Sequence, residues 1–262
     1  DHMQFLGNTV REIAGEKAGI IVPGVPVIYD GNDKDAAEVI AAKAKELGSP
    51  AYKVIQAGAK VLGNNKDGID FSLEDDYYGD IRFHIPFIAW YQVMNASLAL
   101  TTMEVLKDRI PVTMEQLQAG IANTRWQGRM ETILPGVIVD GAHNEDGVRR
   151  FVETAERFQK EYPLTLLFSA VNDKDYQDMI HTICSRIKFR KVVTTEVGGY
   201  REVPSAELAE IFCKEGCKDV GNSDNIEEAF HMAHEAKGED GMLFCVGSLY
   251  LVGEIKTLLL KK

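Results

Sequence analysis

From Arg129 to the end of the sequence, short apolar runs alternate with amphipathic helical segments. Strands are read at Val137–Asp140, Leu164–Ser169, Lys191–Thr195 and Met242–Val246. Helices are read at Glu145–Gln159, Tyr176–Arg186, Ser205–Lys214, Asn225–Ala236 and Ser248–Leu260. Strands that are apolar at nearly every position must be covered on both faces, and helices between them supply that cover. The pattern predicts an α/β unit with a mostly parallel, doubly wound sheet. It starts only after Asn123–Gln127, so a domain boundary is placed there, separating residues 1–125 from 126–262.

The first part reads differently. Thr9 and Glu12 fit a capping box opening a helix that Gly19 closes, with Lys17 in its last turn. A β-type run covers Val25–Tyr29, and Asp33–Leu47 is an alanine-rich amphipathic helix. Ala51–Gln56, Gly68–Leu73 and Ile81–Ile85 read as strands around turns at Asn64-Asn65 and Tyr78-Gly79. Ala89–Leu106 and Thr113–Ala122 read as helices, the first strongly apolar.

Composition narrows the function. Lys plus Arg number 29 against 40 Asp plus Glu, a balance of −11. An acidic chain is repelled by nucleic-acid backbones and anionic membranes, so neither is an expected partner. No stretch approaches the roughly 18 unbroken apolar residues of a membrane span. Cys184, Cys213, Cys217 and Cys245 lack small-domain disulfide spacing, and no signal region is visible, which suits a reducing cytoplasm.

Four places could carry chemistry. In Asp140-Gly141-Ala142-His143-Asn144 an apolar strand ends on an aspartate just before a helix, where open α/β sheets collect ligands. Asp140 and Asn144 could equally be caps. In Trp126-Gln127-Gly128-Arg129-Met130-Glu131, glycine permits close backbone approach and the arginine fork matches a phosphate, although Arg129 could simply pair with Glu131. Gln92 and Asn95 share one face of an apolar helix, and a buried amide needs a partner in protein or ligand. His2 is a possible metal ligand, while Lys17 at a helix end by itself complements the dipole. Cys213, Cys217, His231 and His234 approach zinc-site arithmetic, but the histidines are too close together. Asp173-Lys174-Asp175 lies at a strand's carboxyl end and could open a helix. No G-x-x-x-x-G-K-[ST] loop, G-x-G-x-x-G or nucleophile elbow occurs.

Together these segments resemble folylpolyglutamate synthase and its bifunctional dihydrofolate synthase form, within the Mur ligase superfamily. The motifs, in order, are Asp1-His2-x₃-Leu6-Gly7, Glu16-Lys17-Ala18-Gly19-Ile20, Gln92-x₂-Asn95-Ala96 and Trp126-x-Gly128-Arg129-x-Glu131. Asp140-Gly141-Ala142-His143-Asn144, Asp173-Lys174-Asp175 and Gly247-Ser248-Leu249-Tyr250 complete the set. The resemblance implies a C-terminal Rossmann-like domain at 126–262 and, at 1–125, the later part of a central ATPase domain whose phosphate-loop segment precedes Asp1. It implies a ligase that uses ATP and Mg²⁺ to add L-glutamate to folate, and in bifunctional members to dihydropteroate, through an acyl phosphate. By position, His2 would bind magnesium and Lys17 would be the lysine the family carbamylates, helping to hold the metal. Asn95, Arg129 and Asp140 would contact ATP, while His143 and Ser248 would lie near the incoming glutamate. Residues 123–127 would be the hinge of domain closure. The expected molecule is a cytoplasmic monomer, inactive without the phosphate-loop segment. A Mur-type ligase for cell-wall precursors and a non-catalytic binding module are the alternatives.

Overall fold

The computed structural model describes Gly7, residues 9–173, 175–198 and 202–260. The chain divides into two compact units, Asp1–Arg125 and Trp126–Lys262.

In the first unit, α1 (Val10–Ala18) opens with Thr9 and Glu12 each accepting the other's backbone N–H, the expected capping box. Strand β1 (Val27–Asp30) follows, then α2 (Lys34–Glu46), capped by Asp33. Strand β2 (Ala51–Val54) pairs with β1 in parallel, and this sheet has two strands. β3 (Ala59–Asn65), β4 (Gly68–Leu73) and β5 (Phe83–Ile85) form an antiparallel sheet. Strand β3 was not foreseen: Ala-Lys-Val-Leu-Gly-Asn-Asn is too weakly apolar to mark a strand, and its pairing with β4 decides it. One face of this sheet packs on α3 (Tyr91–Val105) and α4 (Met114–Ala122) through Ile69, Phe71, Phe83, Val93, Leu100 and Leu117. Tyr78, buried against Phe83, donates its hydroxyl to the Leu100 carbonyl at 2.8 Å, so burying its polar end leaves no orphan.

The second unit is a three-layer α/β sandwich. Its six-stranded sheet has the order β10-β9-β8-β11-β7-β6. The strands are β6 (Glu131–Leu134), β7 (Val137–Asp140), β8 (Leu164–Phe168), β9 (Phe189–Thr194), β10 (Val220–Asn222) and β11 (Met242–Val246). All neighbours run parallel except β6, an antiparallel edge. β7, β8 and β11 are buried at every position, as a sheet covered on both faces requires. Alternate side chains serve the two faces. Val137, Val139, Leu167, Val193, Leu243 and Cys245 pack on α8 (Ile226–Lys237) and α9 (Leu249–Leu260). On the other face, Phe244 meets Phe151 of α5 (Glu145–Phe158) edge-on, and Phe168 meets Phe212 of α7 (Ser205–Lys214) likewise. Helix α6 (Tyr176–Arg186) completes that layer and is capped by Asp175, so part of the Asp173–Asp175 charge cluster opens a helix. Edge strands β6 and β10 escaped the sequence reading because each is short and only half-buried.

Candidate functional site

The carboxyl ends of β7 and β11 lie side by side, with Val246 opposite Asp140. Three backbone segments converge there. Asp140, 4% exposed, accepts the Ala142 amide on one carboxylate oxygen at 2.7 Å and the Met130 amide on the other at 2.8 Å. Burial pushes its pKa up, against the opposing pull of those two amides and of Arg129 and His143. The Gly141 amide donates to the Gly128 carbonyl at 2.8 Å.

The Trp126–Glu131 turn is therefore bonded to the strand end at two points. Its backbone is unusual. Gly128 has φ +67, and Met130, a non-glycine residue, has φ +45. Such a residue persists only where the surroundings over-determine it. Asp140 supplies that determination, and Met130 is buried beneath the turn at 1% exposure. Glu131 accepts the Gly128 amide at 2.8 Å and holds Lys256 of α9 at 2.7 and 2.9 Å. The alternative that Arg129 pairs with Glu131 is thereby corrected. Arg129 is half-exposed and makes no ion pair among the described residues.

His143 follows on the Asp140 side. Its Nδ1 lies 2.7 Å from the Gly141 carbonyl. A carbonyl only accepts, so Nδ1 carries the proton and Nε2 keeps a lone pair when the ring is neutral. Asn144 is the cap of α5, accepting the Gly147 amide at 2.8 Å. Ser248, 2% exposed, accepts the Tyr250 amide at the start of α9. Gly247 before it has φ +110, and a Cβ there would fall 2.0 Å from the Ser169 carbonyl oxygen. Glycine is what lets β11 leave the sheet this close to β8. The structure thus gathers Arg129, Asp140, His143 and Ser248 at neighbouring strand ends. The contributions of Glu131, Lys256 and Met130 were missed, because a bond from α9 to a turn 125 residues earlier leaves no local trace in the sequence.

In the first unit, Lys17 is exposed in the last turn of α1, and His2 lies outside the described residues. No group of three metal-ligating side chains occurs among the described residues. A lysine ammonium is no ligand for a hard cation unless it is converted to an anion. The residues seen here therefore do not build a magnesium site by themselves. Asn95, exposed on α3, donates to the Gln92 side-chain carbonyl at 2.8 Å. Gln92 is 3% exposed, and its own amide nitrogen has no partner among the described residues. A buried donor without a partner marks a place where a ligand oxygen would be favourable. The four zinc-like residues do not assemble: Cys217 lies 3.6 Å from Cys184, and His234 stacks on Phe230. No helix of the described residues is long and apolar enough to cross a membrane.

Residues 128–249 match the family described as "Mur ligase, glutamate ligase domain". The dihydrofolate synthase/folylpolyglutamate synthase of Bacillus subtilis is 32% identical over 98% of this chain and 60% of its own length. The folylpolyglutamate synthase of Thermotoga maritima superposes with a TM-score of 0.79 at 26% identity, over 96% of this chain and 58% of that one. That of Mycobacterium tuberculosis, solved complexed with ADP and AMPPCP, superposes at 0.75 with 25% identity, over 98% and 61%. The chain spans about 60% of the length of the curated dihydrofolate and folylpolyglutamate synthases of Bacillus subtilis and Lacticaseibacillus casei that it matches. Arg129 and the Asp140–Asn144 strand end both fall inside the span that matches the Mur ligase glutamate ligase domain, and the chain as a whole is homologous to the folylpolyglutamate and dihydrofolate synthases.

Proposed function

We propose that this chain is part of an ATP-dependent ligase that joins L-glutamate to a folate, with dihydropteroate as a further acceptor in a bifunctional enzyme. The carrying observation is the Gly128–Met130 turn, pinned by Asp140 and Glu131, which presents an arginine without an ion-pair partner at the same strand end that carries His143. Transfer of a phosphoryl group to the folate carboxylate needs cationic groups around the moving charge, and Arg129 is placed to supply one. Asn95, with the unpartnered Gln92 amide beside it, contributes polar contacts to the nucleotide from the first unit. Asp140 acts chiefly by holding the turn, since both its oxygens already accept backbone amides, and it borders the nucleoside end of ATP.

The resulting acyl phosphate is attacked by the glutamate amine, forming the amide bond as phosphate leaves. The amine must shed a proton, and the free Nε2 of His143 can take it. The Ser248 hydroxyl keeps a proton to donate to a glutamate carboxylate. Mg²⁺ would neutralise phosphate charge, with His2 and a carbamylated Lys17 as its proposed ligands.

Residues 1–125 fit part of a larger ATPase domain. A two-stranded parallel sheet is not stable alone, and parallel strands are normally covered on both faces. Yet β2 is largely exposed, and Ile20 and Val22 nearby are 84% and 56% exposed. We assign the surrounding domain, including a phosphate loop, to residues outside this sequence, and the whole to a cytoplasmic monomer. The test mixes ATP, Mg²⁺, glutamate and a reduced folate with this chain, with and without its upstream segment. ADP should form only with the upstream segment and the folate. Turnover by residues 1–262 alone, or turnover of the extended protein on UDP-muramoyl peptides instead of folates, would refute the reading.

A further inference from the structure

Three hydrogen bonds bracket Arg129. Glu131 accepts the Gly128 amide, Gly141 donates to the Gly128 carbonyl, and Asp140 accepts the Met130 amide. Two of these belong to the strand end itself. The third depends on a carboxylate that must be aimed back at its own turn, and Lys256 grips both oxygens of that carboxylate at 2.7 and 2.9 Å. The side chains of this pair are 27% and 25% exposed, so it is shielded from solvent more than an ordinary surface pair.

Lys256 does not act in isolation. Leu249, Val252 and Lys256 follow at spacings of three and four, which places them on one face of α9. The same face covers the turn: the nearest atoms to a Cβ built on Gly128 are Val252 Cγ1 at 3.3 Å and Leu249 Cδ2 at 3.5 Å. Leu249 also lies over Gly141, where a Cβ would meet its Cδ2 at 2.2 Å. One helix face thus seats both glycines that the site needs and ends in the lysine that aims Glu131.

We propose that Glu131 and Lys256 are positioning residues that fix where Arg129 presents its guanidinium, so that the last helix of the fold sets the grip on phosphate. The inference rests on the reading of Arg129 as a phosphate contact. A turn carrying two left-handed residues has many relaxed alternatives. Loosening its third anchor spreads Arg129 over several orientations, which weakens nucleotide binding without removing any group that touches it.

The test has two arms. In residues 1–262, K256M and E131Q should speed hydrogen exchange at the Gly128 amide by about tenfold, leave exchange of the Ala142 amide and thermal unfolding nearly unchanged, and K256R should restore slow exchange. In the upstream-extended protein, the same substitutions should raise KM for ATP by about tenfold with little change in kcat, and R129M should raise it more. If K256M fails to fold, E131Q breaks the pair from the other side. Unchanged Gly128 exchange in a folded variant overturns the clamp. Faster exchange with unchanged KM, while R129M raises KM, overturns the positioning role. If R129M itself leaves the ATP dependence unchanged, the phosphate reading of Arg129 fails, and the proposal with it.

Discussion

Replacing Asp140 by alanine tests the strand-end site at its centre. The substitution leaves two buried backbone donors, the Met130 and Ala142 amides, without acceptors. Each such orphan costs about 1–3 kcal/mol. Two effects oppose this loss. Met130 would relax from φ +45, recovering about 1–3 kcal/mol of backbone strain, and a buried carboxylate whose pKa burial has raised would be gone. The expected net loss is about 2–3 kcal/mol, or a fall of about 6–12 °C in the melting temperature of a unit this size. Urea and thermal unfolding followed by circular dichroism measure it.

The asparagine variant refines the argument through pH. Asp140 has a raised pKa in the folded state, so folding favours its protonated form. Its contribution to stability is therefore greatest below the ordinary carboxylate range and declines as pH rises through the raised value. Asparagine does not titrate, so the stability difference between wild type and D140N should narrow across that window and level off above it. A D140A loss below about 0.5 kcal/mol would refute the clamp reasoning. A difference between wild type and D140N that widens with rising pH would refute the burial account of the carboxylate.

Further outcomes follow from the same unit. G247A combines a left-handed φ of +110 with a Cβ placed 2.0 Å from the Ser169 carbonyl oxygen, and should cost about 3 kcal/mol or more in urea unfolding. F244A removes the fully buried partner of Phe151 and should cost about 3–5 kcal/mol, read as a lowered urea midpoint. N144A deletes the cap of α5 and should cost about 1 kcal/mol by thermal unfolding.

The alternating plan of the second unit was legible in the sequence because its central strands are buried on both faces. Continuous apolar runs such as Leu164–Phe168 and Met242–Val246 are the direct trace of that burial. Caps were legible for a related reason: the Thr9–Glu12 box and Asn144 act within three residues of themselves. The motifs around Arg129, Asp140 and His143 stood out as residue types at the ends of such elements.

Partnership was not legible. Nothing near Glu131 indicates that Lys256, rather than Arg129, takes its carboxylate, or that Asp140 holds Met130 in a left-handed conformation. Nor does the α3 sequence show that Gln92 would keep a buried amide nitrogen without a partner. Local order follows from chemistry within a few residues, so it can be read directly along the chain. Which distant groups meet is decided only when β11 lies down beside β7 and α9 closes over the glycines, because only tertiary packing brings their partners within hydrogen-bond range.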